Sequence, residues 1–140
     1  MAVIENSVEI RRSPEAVFDA LVDMRHELEW NPGIESMEKI TDGPLGVGTQ
    51  FRAKWKQSKM LIVECTKYDR PHGWAYHNGG PVEVDLDISL APREQGSMLV
   101  SRFDAHPRGW FRLIFPIFLL IMRRQEKTNM ANLKRFVEGA

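Results

Sequence analysis

Four histidines, one cysteine and a glutamate set in an apolar stripe carry the reactive chemistry of this chain: His26, His72, His77, His106, Cys65 and Glu126. A helical zinc site needs two histidines four residues apart, or a cluster of cysteine and histidine. No histidine pair here has that spacing, and a single cysteine builds no cluster. His26 lies close to Asp23, Glu27 and Glu29, but charges on a short surface helix are read as solvated. No metal and no cofactor is expected. His77 is read as a structural histidine held by a hydrogen bond, with a place on the inner face of its strand as the functional alternative.

Nucleophilic and phosphate chemistry are equally unsupported. Gly-x-Ser-x-Gly is missing, and "GPLGVG" is followed by neither Lys-Ser nor Lys-Thr, so it reads as a hairpin turn. Cys65, between Glu64 and Thr66, reads as a small buried hydrophobe. No catalytic residue is assigned.

The aromatics say more. Trp30, Trp55, Trp74, Tyr76 and Phe103 fall at a helix end or on strands. Singly, each is a core residue. Together they could line a cavity, because indole N–H and phenol O–H groups want partners when buried and can orient a ligand there. Glu126 lies between Met122 and Met130 on the apolar stripe of the last helix. It is either the polar contact of that cavity, with Asn129 nearby, or an exposed partner of Arg123 or Arg124. Inside an apolar pocket its pKa would rise by desolvation.

These residues need elements to position them. "AVIENSVEI" alternates as a strand, with Ile4, Val8 and Ile10 on one side. Ser13 is an N-cap and Pro14 takes the first helical position, with Val17, Ala20, Leu21 and Met24 as the buried stripe. "RHELEWNPG" is a second short helix, ended by Asn31-Pro32-Gly33. Six strands follow. Turns are expected at Gln57-Ser58, Asp69-Arg70-Pro71, Gly79-Gly80-Pro81 and Glu94-Gln95-Gly96. Alternation puts Phe51, Ala53, Trp55, Val63, Cys65, Trp74, Tyr76, Val84, Leu86, Ile88, Leu99, Ser101 and Phe103 on the inner face. A long helix closes the chain, with Phe115, Leu119, Met122, Met130, Leu133 and Val137 as its stripe.

The expected fold is therefore α+β: one domain over residues 1–140, with the order β-α-α-β6-α and about seven strands in a curved antiparallel sheet around the C-terminal helix. A sheet gripping a helix leaves a concave apolar space between them, where small ligands bind.

This order, with "SPEAVFDALVDMRHELEWNPG", "GPLGVGTQFR", "ECTKYDRPHGWAYH" and a terminal helix ending "NLKRFVEG", resembles the START-like (Bet v 1-like, SRPBCC) superfamily. Its polyketide cyclase/dehydrase and lipid-transport branch is the most similar. The resemblance implies a helix-grip fold whose inner strand faces and terminal helix line a pocket for a lipid, polyketide or aromatic metabolite. Fold analogy does not choose among these. The ligand-binding set expected here is Trp30, Phe51, Trp55, Val63, Trp74, Tyr76, Leu86, Ile88, Phe103, Leu119, Met122, Glu126 and Met130. The alternative is an aromatase/cyclase or dehydratase using Glu126, His77, Tyr76 and Arg102 as acid–base groups.

Composition narrows the partners. With 19 basic and 19 acidic side chains the formal charge is zero, which gives no electrostatic reason to expect nucleic acid. The start "MAVIENSVEI" lacks a secretion signal and the lone thiol suits a reducing compartment, so a cytoplasmic place is expected. "WFRLIFPIFLLIMRR", residues 110–124, is the most apolar run. It holds about a dozen apolar residues, fewer than the roughly 20 of a membrane span. Residues 111–121 offer instead a surface for a homodimer or another protein. Pro116 predicts that the helix either begins close to it or bends there.

Overall fold

The computed structural model describes residues 2–56 and 59–139. Strand β1 (Ala2–Ile10) leads into α1 (Pro14–Leu21), a single 3-10 turn (Met24–His26) and the short α2 (Glu27–Trp30). Six strands follow: β2 (Ile34–Lys39), β3 (Gln50–Trp55), β4 (Leu61–Asp69), β5 (Gly73–Asn78), β6 (Val82–Arg93) and β7 (Gly96–Pro107). Helix α3 (Phe111–Gly139) completes the order. All seven strands form one antiparallel sheet in the order β1-β7-β6-β5-β4-β3-β2. Consecutive strands pair as hairpins from β2 to β7, and β1 closes against β7. The α+β helix-grip layout is as expected.

Local chemistry explains the boundaries. The Ser13 hydroxyl accepts the Ala16 N–H, and Pro14 starts α1 where no donor is needed. Val17, Phe18 and Leu21 are the buried side of α1, whereas Ala20 is only half-buried. Phe18 thus takes the place in the buried stripe that helical spacing gave to Ala20. Its ring meets Trp74 edge-on at 5.3 Å and Tyr68 at 5.1 Å. Asn31 ends α2, and its side-chain oxygen accepts the Gly33 N–H at 2.9 Å.

Tyr68 reaches the inside because β4 carries a bulge between Cys65 and Lys67. The extra residue reverses the alternation beyond it. Lys67 consequently faces outward, where its ammonium lies 3.0 Å from the Asp87 carboxylate. The β6–β7 hairpin turns through Glu94 and Gln95, with Arg93 opposite Gly96. Gly96 admits no side chain, because a Cβ there would stand 2.0 Å from the Ile10 carbonyl oxygen. The turn expected at Gln57-Ser58 lies outside the described residues.

The stripe of α3 packs on the concave side of the sheet. Phe115, Met130, Leu133 and Val137 are buried, and Leu119 and Met122 are half-buried. The helix does not begin near Pro116, as one sequence expectation had it. It runs unbroken from Phe111, with Pro116 inside its second turn. Two tight turns start it instead, Arg112 N–H to Gly109 and Leu113 N–H to Trp110. No helix among the described residues is long and apolar enough to cross a membrane.

Candidate ligand cavity

Between the sheet and α3 lies a cavity of about 850 Å³. Strand alternation builds its sheet wall. Val63 on β4, Trp74 and Tyr76 on β5, Leu86 and Ile88 on β6, and Phe103 on β7 all line it, and Trp55 at the end of β3 extends it. Met122, Glu126 and Met130 line it from α3, and Trp30 from α2. Eleven of the thirteen residues chosen from the sequence are therefore brought around one space. Phe51 and Leu119 are not among the lining residues. Phe51 is fully buried and stacks edge-on against Tyr76 at 6.0 Å, so it supports the wall from behind. Leu119 lies half-buried on α3 beside the lining set.

The acid–base candidates separate by face. His77 alternates with Tyr76 and so falls on the outer side of β5, not the inner one. There its Nδ1 lies 2.8 Å from Asp85 Oδ1 and its Nε2 3.9 Å from Glu83. These three residues place ligand atoms within 4.8 Å of one another. The Arg108 guanidinium also pairs with Glu83, so the cluster is partly compensated from within. Arg102 likewise faces outward, 3.6 Å from Glu5. His26 is held by the Ala20 carbonyl at 2.7 Å. Tyr76 lines the cavity wall, but its hydroxyl donates to the Val22 carbonyl at 2.7 Å, and burial pushes its pKa upward.

Two carboxyl groups remain inside. Glu126 lines the cavity from α3, and burial raises its pKa, opposed by a hydrogen bond with Asn129. Glu27 lines it from α2, a residue that sequence reasoning placed among solvated charges. Asn31 donates to Glu27 Oε1 at 2.9 Å. Glu27 Oε2 is sealed from water and has no hydrogen-bond partner. Burial pushes the Glu27 pKa up to about 7, with the Asn31 hydrogen bond opposing and the like charge of Glu126 adding to the rise. The sequence shows only that Glu27 lies four residues before the Asn31 that ends its helix, a spacing that lets the two side chains meet but does not say that they are covered.

Where the lining is solvent-exposed its sign is opposite: Lys56, Lys59 and Arg108 line it there, beside Trp110, which is 67% exposed. The space is thus apolar and aromatic along its walls, acidic at one interior point and basic at its rim.

A curved antiparallel sheet closed by a long helix around an apolar cavity defines a helix-grip protein. The chain belongs to the "Polyketide cyclase / dehydrase and lipid transport" family, whose sequence profile matches residues 1–138. Among solved structures it is similar to TTHA0849 from Thermus thermophilus, with a TM-score of 0.80, 15% identity and 97% of each chain covered. It is also similar to the Zhui aromatase/cyclase from Streptomyces, with a TM-score of 0.78 and 14% identity over 98% of this chain and 93% of that one. Ara h 8.0201 superposes with a TM-score of 0.73 and 17% identity, with 99% of each chain covered. At these identities the likeness is one of fold. No curated protein matches the chain in sequence.

Proposed function

We propose that the protein binds a small hydrophobic molecule, of lipid, polyketide or aromatic type, in the cavity between sheet and α3. The observation that carries this reading is the cavity itself. Its volume, about 850 Å³, lies in the range of small-molecule sites, and its lining is dominated by rings and aliphatic side chains. The family description, which includes lipid transport, supports it. Binding is favoured over cyclase chemistry. Of four acid–base candidates, His77 and Arg102 face away from the cavity and the Tyr76 hydroxyl is already donated to Val22. An environment-sensitive dye tests the reading: it should bind wild-type protein and be displaced by medium-chain lipids. Leu86→Trp, which fills the cavity from the β6 wall, should weaken dye binding at least tenfold. Equal binding by that variant would contradict the reading. The single buried thiol of Cys65 supports a cytoplasmic site of action.

The outer face of α3 supports a second role. Leu113 is 83% exposed, Ile117 69% and Leu120 56%, and they follow one another at helical spacing with Trp110. We infer that residues 111–121 form a self-association surface, so that the protein acts as a homodimer.

A further inference from the structure

We infer that the Glu27–Glu126 pair is the head-group site for a hydrophobic ligand carrying a protonated amine. This rests on the cavity being a ligand site, and it adds the ligand's polar chemistry.

The starting observation is an oxygen without a partner. Glu27 Oε2 is buried and accepts no hydrogen bond, while Oε1 of the same group takes the Asn31 amide. A buried carboxylate is normally paired with a cation or with several donors, because desolvating it is costly. Each of these carboxyl groups has one neutral amide beside it, Asn31 for Glu27 and Asn129 for Glu126, and the lining residues next to them on the same segments, Trp30 and Gln125, are uncharged. From the sheet the titratable group is Tyr76, whose proton goes to Val22. The cationic lining residues are Lys56, Lys59 and Arg108, all on the solvent-exposed part of the lining. Neither carboxyl is held down by a cation, and each is disfavoured by burial.

A ligand can provide what the fold leaves out. An ammonium group has three donors and a full positive charge, so it can serve both carboxyl groups from the cavity they line, once the Glu27 side chain turns its unpartnered oxygen toward it. A hydroxyl offers one donor and no charge. A carboxylate head would be repelled from this point and drawn toward the basic rim. Trp30, Trp55 and Trp74 also line the space, and indole faces attract cations. The ligand's apolar body would lie along Leu86, Ile88 and Phe103.

The proposal predicts a preference and its pH dependence. Three probes with one skeleton, 4-phenylbutylamine, 4-phenylbutanol and 4-phenylbutanoate, are titrated into the full chain by calorimetry at pH 8 and pH 5.5. The amine should bind at least tenfold more tightly than the alcohol at pH 8, and the alcohol more tightly than the acid. The amine-to-alcohol ratio should shrink at pH 5.5, as Glu27 takes up a proton. Glu27→Gln keeps an acceptor for Asn31 and should bring the ratio to within about twofold of one, as should Glu126→Gln. Circular dichroism and the urea midpoint serve as the check that each variant is folded. An amine that binds no better than the alcohol overturns the amine assignment and leaves the cavity reading standing. A preference that survives in both variants also overturns it. Failure of all three probes contradicts the cavity reading as well.

Discussion

Asn31 does two jobs with one side chain: its oxygen caps the turn at Gly33, and its amide holds Glu27 Oε1. That second bond fixes the Glu27 carboxyl at the cavity wall, where burial raises its pKa to about 7. The consequence for stability has a definite sign. Between the unfolded value of 4.5 and the folded value of about 7, the native state holds a proton that the unfolded chain has released. Stability contributed by this group is therefore lost as pH rises through that window. Glu27→Gln should gain on the order of 2 kcal/mol over wild type at pH 8 and almost nothing at pH 4, as read by urea denaturation at both values. A difference between the two proteins that is flat with pH would contradict the buried placement. Glu126 was a candidate from the sequence, beside the alternative of an exposed partner for Arg123 or Arg124, because it interrupts a long apolar stripe. Glu27 was not, because on a four-residue helix the periodicity is too short to say which side is covered. What covers it is Glu126's own helix, about a hundred residues away in sequence.

At the scale of elements, strict alternation carried far. The β5 and β6 sides were readable because Trp74, Tyr76, Leu86 and Ile88 repeat without interruption. The β4 bulge after Cys65 was not readable, because one inserted residue changes the side of Lys67 and Tyr68 without changing composition. Helix α3 shows the same division. Its inner stripe follows the helical period, but Pro116 suggested a start that the helix, which runs from Phe111, does not have. Proline removes one N–H, the donor for Arg112, and that carbonyl lies on an exposed residue where water can serve it. The outer face of this element is where self-association belongs. Light scattering at about 100 µM should give twice the chain mass, and Leu113→Glu with Ile117→Glu should return it to the chain mass, since two buried carboxylates forbid an apolar seam. A wild-type chain that is monomeric at that concentration would contradict the dimer.

The whole molecule adds what no element contains. A cavity is the gap between a curved sheet and the helix it grips, so its volume depends on how far α3 stands from β5, β6 and β7. Residue types show which side chains face inward, but not whether they meet or leave room. Phe18 and Phe51 pack against neighbouring rings away from the cavity, while Tyr76, Leu86, Ile88 and Phe103 line it. The fold class was thus legible from element order, and the site's extent was not. Native mass spectrometry of protein purified from its own host, compared with Leu86→Trp prepared in the same way, tests the central claim most directly. Wild type should carry a small apolar molecule that is released on unfolding, and the filled variant should not. A wild-type chain recovered bare, or a variant carrying the same molecule at the same occupancy, would contradict a ligand held between the sheet and α3.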